Sequence, residues 1–293
     1  RNRDGSVPWA GTNDKAGFHE LCMNTPYLDQ LAAQVEESGR LYGEDTQKRK
    51  LPIWSPNPKV YLPIGNCLMG HIDKPDCMAL SWMNSAGVYQ MIGYTVPTWY
   101  GYAGWGCLDY FVEQPGRYTF TEAFFANHAA LIHRLETFFP GTASAEVDTQ
   151  GRPKPSPQIT DQARAAGLTA HDARGLAFDR DVVAFYGDPA WEARMADRPK
   201  AFDQTLTWKD GAGVFEIIPR RGADSFKPIN TNGSQRGGRP FVAFFPHRVR
   251  DVKIVEGADL QPLVADDFIL VPNPRVCDPA RKYRVVFKAT PAS

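Results

Sequence analysis

The chain of 293 residues is 43% hydrophobic and 23% charged, enough for about two globular domains that bury a core without disulfides or metals. Its 33 basic and 33 acidic residues cancel, so no electrostatic footprint points to nucleic acid or an anionic membrane as partner. The apolar runs fall far short of the ~18 residues a membrane-spanning helix needs, and no transmembrane segment is expected.

The chain opens at Arg1 with RNRDGSVPWAG, which lacks the apolar segment of a signal peptide and reads as a trimmed start. Cys22, Cys67, Cys77, Cys107 and Cys277 are odd in number and scattered. They make no disulfide framework, and at least one thiol stays free. Residues 1–58 are irregular, with helical spacing only over Tyr27–Glu37. Asn57-Pro58 turns into a strand, Lys59–Ile64, which breaks at Gly65-Asn66-Cys67. A helix is expected from Pro75-Asp76 to Ser85, with Asp76 at the positive end of its dipole and Ala86-Gly87 as its stop. A second apolar run, Val88–Ile92, ends at Gly93 and opens into an aromatic, glycine-rich loop, Thr95–Trp105. Two apolar runs joined by a helical spacer predict adjacent parallel strands delivering both loops to one edge of a sheet, where sites form in α/β folds.

Gln114–Arg117 is a turn. Phe120–Phe138 is a long amphipathic helix capped by Thr119 or Thr121 and stopped by Pro140-Gly141. Residues 142–158 are small, polar and proline-rich, which reads as a linker or long loop. Asp161–Ala170 and Ala173–Tyr186 have helical composition. Gly187-Asp188-Pro189 turns the chain into a short segment ending near Arg198-Pro199. From Phe202 the period changes to two. Roughly six short runs at 8–12-residue spacing predict an all-β sandwich. The expected organisation is an α/β domain over 1–200 and a β-sandwich over 201–293, with a boundary near Lys200.

Cys67 is the sharpest chemical feature. A thiolate at the end of a strand can be activated by a neighbouring histidine or by backbone N–H groups, which also serve as oxyanion donors. The plainer reading of a free cysteine is a buried, inert one, and Cys77 and Cys107 are read that way. Trp99, Tyr100, Tyr102 and Trp105, set among glycines, are either a pocket wall or a packed cover for the sheet edge. With no acidic residue in that loop, a pocket there suits an apolar or aromatic group, or a cation held by ring faces. His71 and Asp73 with Cys67 are too few for a metal site without a second cluster, and read as a polar loop. His128 and His133 share no helix face. No phosphate-binding glycine motif, HExxH or GxSxG is present.

The stretch IGNCLMGHIDKPDCMALSWMNSAGVYQMIGYT resembles the nucleophile block of the gingipain family of cysteine peptidases, relatives of caspases. Cys67, Gly70, Ala79, Gly87 and Thr95 fall on the family's pattern. Trp99 matches a tryptophan bordering the P1 pocket. Phe185–Pro189 is similar to the turn that closes the catalytic domain, after which an Ig-like domain commonly follows. The resemblance covers roughly residues 56–293. It implies a caspase-like parallel-sheet domain with flanking helices, followed by an Ig-like sandwich. It implies cysteine endopeptidase activity with Cys67 as nucleophile and Thr95, Trp99 and Tyr100 at the substrate. It further implies a polypeptide substrate, no cofactor and no metal, and an extracellular or cell-envelope location. The family's catalytic histidine stands directly before a glycine, and no His-Gly pair occurs here. His19, 48 residues before Cys67 (67 − 19), matches the spacing of about 50 in caspases but follows no apolar strand. The base is therefore expected upstream of Arg1, or else the domain is catalytically silent and serves as a binding or cell-envelope module.

Overall fold

The run Val88–Tyr94 is apolar or aromatic at nearly every position, the pattern of a strand covered on both faces. The computed structural model, which describes residues 34–35, 40–44, 49–63, 68–75, 77–97, 100–148, 151–231 and 236–292, makes it a central strand. Lys59–Tyr61 (β4) pairs with Val88–Tyr94 (β5) in parallel, and Met78–Ser85 (α1) is the crossover between them. The expected strand–helix–strand unit is present, with the helix starting at Met78 on Cys77 as N-cap. Gly87, at φ 70°, follows the C-cap Ala86 and stops the helix in the left-handed conformation that glycine tolerates.

The sheet is not all-parallel. Val183–Gly187 (β8) pairs antiparallel with β5, from Tyr94↔Val183 to Gln90↔Gly187, giving the order β4-β5-β8. Helical composition over Ala173–Tyr186 therefore holds only to Val182, where Ala170–Val182 (α5) ends. The β-branched and aromatic run after it gains more from a central partner strand than from continuing the helix. Buried Gln90 donates its amide to the carbonyls of Asp188 (2.6 Å) and Trp191 (2.8 Å), fixing the Gly-Asp-Pro turn. Ahead of β4, Gln34–Val35 (β1), Leu41–Glu44 (β2) and Lys50–Pro52 (β3) form an antiparallel sheet. Gln34 and Val35 are thus strand, not the helix expected over Tyr27–Glu37, whose remaining residues lie outside the described set. Leu41, Met69, Trp82, Val88 and Met91 share one apolar cluster.

By contact density the chain divides into two units. One comprises the described residues of Arg1–Gly104 with Phe178–Ala193; the other comprises those of Trp105–Ala177 with Arg194–Ser293. One break, between Ala193 and Arg194, lies a few residues before Lys200; the others fall after Gly104 and after Ala177. The second unit contains most of Tyr102–Phe111 (α2), which begins inside the expected aromatic loop, and Phe120–Phe138 (α3). Thr119 caps α3 in a reciprocal box with Glu122: the Glu122 N–H donates to Thr119 Oγ1 at 3.1 Å and the Thr119 N–H to Glu122 Oε2 at 2.7 Å. The stretch read as a linker holds a short hairpin, Glu146–Val147 (β6) with Pro153–Lys154 (β7), before Asp161–Ala165 (α4).

Period-two alternation after Phe202 produces two antiparallel sheets. Phe202–Lys209 (β9), Ala212–Pro219 (β10), Val249–Glu256 (β12) and Tyr283–Pro291 (β15) form one, in the order β12-β15-β10-β9. Phe241–Phe244 (β11), Leu263–Val264 (β13) and Phe268–Val271 (β14) form the other. Phe215, Phe241, Ile269, Val285 and Phe287, drawn from both sheets, make one core. Within this unit the strands are tied to the helices by hydrogen bonds and ion pairs. Tyr118 donates its hydroxyl to Val242 O at 2.6 Å, Tyr110 donates to Pro240 O at 2.9 Å, and Asp109 accepts from Arg236 and Arg239, both at 3.0 Å. Such buried polar ties group the helices with the strands. No helix among the described residues is long and apolar enough to cross a membrane.

Candidate active site

A turn that follows a strand can place its residues only if both ends are held. Cys67, with residues 64–66, lies outside the described set, as do Trp99 and His19. The residues directly after Cys67 are described, and they are tightly fixed. Leu68 has φ 60°, in the left-handed region where a branched side chain is strained. His71 N–H closes the turn on Leu68 O at 3.0 Å, and Gly70 N–H donates to Tyr94 O at 2.9 Å, anchoring it to the end of β5. Tyr186, on β8, donates its hydroxyl to Gly70 O. Gly70 and Gly93 touch backbone to backbone, an approach that leaves no room for a side chain on either.

Thr95 and His71 meet here. His71 Nδ1 lies 2.9 Å from Thr95 O. A carbonyl only accepts, so Nδ1 carries the hydrogen of this bond. Thr95 also donates its N–H (2.9 Å) and its hydroxyl (3.1 Å) to Val182 O. Its polar atoms therefore continue the β5–β8 ladder and hold the turn. Tyr100 is half-buried, edge-on to Phe178 with ring centroids 5.6 Å apart, and 6.4 Å from Tyr102. Asp73 and the turn around it are exposed.

Sequence reasoning missed Asp179. It is fully buried on α5, among Leu176, Ala177 and Phe178. Its Oδ2 accepts from the Ala103 N–H at 2.8 Å and from the Tyr94 hydroxyl at 3.0 Å, while Tyr94 Oη accepts from the Gly104 N–H at 3.1 Å. Burial pushes the Asp179 carboxyl up to about 7, against the Ala103 N–H, the Tyr94 hydroxyl and the N–H groups of Tyr102 and Gly101, which favour the charged form. The available signal was an aspartate, the first of the two in LAFDRDVVAF, placed directly after the apolar Leu176-Ala177-Phe178. The thiols read as structural are so placed. Cys77 and Cys107 are free and buried, and burial raises the Cys107 thiol far out of the reactive range.

Comparison with protein-family models, with curated proteins and with solved structures finds no match to this chain.

Proposed function

We propose that the chain carries the nucleophile-bearing part of a cysteine endopeptidase of gingipain type. The observation that carries this reading is the turn immediately after Cys67. Leu68 in a strained conformation, in a turn closed by one internal hydrogen bond and held at Gly70 by one bond each from β5 and β8, is more than a strand-to-helix connection requires. Strain kept in place by surrounding structure is the mark of a site rather than a linker. The parallel β4–β5 pair supports it further, since it sends the segment containing Cys67 and the segment containing Trp99 and Tyr100 from the same ends of neighbouring strands.

In this reading the Cys67 thiolate adds to the peptide carbonyl, and backbone N–H groups around Cys67 and the following turn take the oxyanion. A histidine protonates the leaving amine, and water then hydrolyses the thioester. By resemblance that histidine precedes a glycine upstream of Arg1; by spacing within the chain it is His19. Trp99 and Tyr100 line the P1 site. The β-strands after Phe202 belong to an Ig-like domain, and the substrate is a polypeptide met outside the cell or at its envelope. The mechanism needs no cofactor.

The test is labelling by a thiol-directed peptidyl electrophile, with Cys67→Ala and His19→Ala beside the native chain and a longer chain extended upstream. Labelling at Cys67 that is much faster than with iodoacetamide supports the peptidase. Loss in His19→Ala places the base there, while a requirement for the extension places it upstream. A Cys67 that shows no preference for the peptidyl reagent in any chain defeats the reading.

A further inference from the structure

Asp179 joins three elements. Its carboxylate on α5 receives the Ala103 N–H at the start of α2 and the hydroxyl of Tyr94 at the end of β5. That hydroxyl in turn receives the Gly104 N–H. Tyr100 sits just ahead, edge-on to Phe178, the residue before Asp179. The aromatic segment is therefore tied at Gly101–Gly104 through one buried acid, and Tyr100 packs beside the same stretch of helix.

Among the described residues no cation forms an ion pair with Asp179. Arg180, next in sequence, engages Asp181 at 2.6 Å. From β5 the carboxyl meets the Tyr94 phenol, and from Gly101 and the first turn of α2 it meets N–H groups; burial and these donors are the influences on its titration. Asp179 Oδ1 is buried with no hydrogen-bond partner, so a proton there displaces nothing.

We propose that Asp179 is the positioning residue of the substrate loop, locking Tyr100 and the first turn of α2 onto the sheet more tightly in acid than in neutral solution. This rests on the assignment of that loop to the substrate, but the lock itself does not. The sign follows from linkage. Opening the segment hydrates the carboxyl and returns it to the ordinary range near 4; closing raises it to about 7. The closed form thus holds the proton more strongly. Closure is fully favoured below the ordinary carboxylate range and is lost as pH rises to about 7, beyond which nothing more changes.

Amide hydrogen exchange of residues 101–104, corrected for intrinsic rates, measures the lock directly. Protection in the native chain should fall by up to tenfold per pH unit between about pH 4 and 7, then level off. Asp179→Asn, neutral at every pH, should stay protected and flat. Tyr94→Phe removes a donor that favours the charged carboxyl, so the levelling-off should move to higher pH. A native profile without slope, or an Asp179→Asn profile that keeps the native slope, overturns the proposal. For the substrate loop, the ratio of peptidyl to iodoacetamide labelling at Cys67 should follow the same curve in the native chain and be flat in Asp179→Asn. Sloping exchange with a flat native ratio refutes the link to substrate. No peptidyl labelling in any chain is instead a failure of the peptidase reading, and exchange alone then decides the lock.

Discussion

Gly70→Ala tests whether the turn after Cys67 is held as tightly as its geometry implies. A Cβ on Gly70 would stand 2.6 Å from both the carbonyl carbon and the oxygen of Gly93. Comfortable carbon contacts begin near ~3.5 Å, so the two backbones must part by about 1 Å. β5 cannot give way, because β4 and β8 flank it and it is buried along nearly its whole length. The turn must move instead, which stretches the 2.9 Å Gly70–Tyr94 hydrogen bond and the bond from Tyr186 to Gly70 O. Overpacking costs about 1–3 kcal/mol, and each hydrogen bond weakened in a buried place adds about 1 kcal/mol. A loss of about 2–4 kcal/mol is expected in urea unfolding, together with slower peptidyl labelling of Cys67. Gly141→Ala is the control: it also replaces a glycine, at φ 79°, but its Cβ meets nothing within 4 Å. Only left-handed strain of about 1–2 kcal/mol should appear there, with labelling unchanged. A Gly70→Ala chain within about 0.5 kcal/mol of native, labelled at the native rate, would refute the reasoning.

Asp109→Ala leaves Arg239, itself buried, without the carboxylate at 3.0 Å, and removes the acceptor of the Gly237 N–H at 2.9 Å. Thermal or urea unfolding should show a loss of about 3–5 kcal/mol, the usual cost of removing one partner of a buried ion pair. Thr119→Ala breaks the reciprocal cap of α3 and should cost about 1 kcal/mol in the same assay, with frayed amides confined to the first turn of that helix.

Where one period dominated a run, the fold was legible. All six period-two segments after Phe202 are strands, and only β13, two residues long, went unread. The helix over Phe120–Phe138 followed from apolar spacing, with its cap narrowed to Thr119 or Thr121; the reciprocal bond with Glu122 selects Thr119. The parallel β4–β5 pair followed from a helical spacer too long for a hairpin. Val183–Gly187 was misread because a helix and a buried strand meet there without punctuation, and only the partner β5 settles the conformation. The domain boundary was set by a change of period, which marks a change of secondary structure. Contacts such as Asp109 with Arg239, 130 positions apart, are carried by no local pattern. Of the expected site residues, Thr95 and Tyr100 are described, and Thr95 spends its polar atoms on the framework; Cys67, Trp99 and His19 lie outside the described residues.

The same contrast bears on how such a site could be specified at all. Gly70 and Gly93 are ordinary turn and strand glycines in sequence, separated by a helix. Each is needed only because the other is there, since either Cβ would strike backbone. Leu68 adds a strained residue that propensity would exclude. A sequence that violates local preference at Leu68, and uses two glycines to seat the next residues on the sheet, gives up stability at the one turn adjoining its candidate nucleophile. A turn that merely joined β4 to α1 could have used any of several unstrained connections. Local disagreement of this kind is expected where geometry serves something other than stability. That is why the strained turn, rather than the bare presence of a cysteine, carries the functional reading.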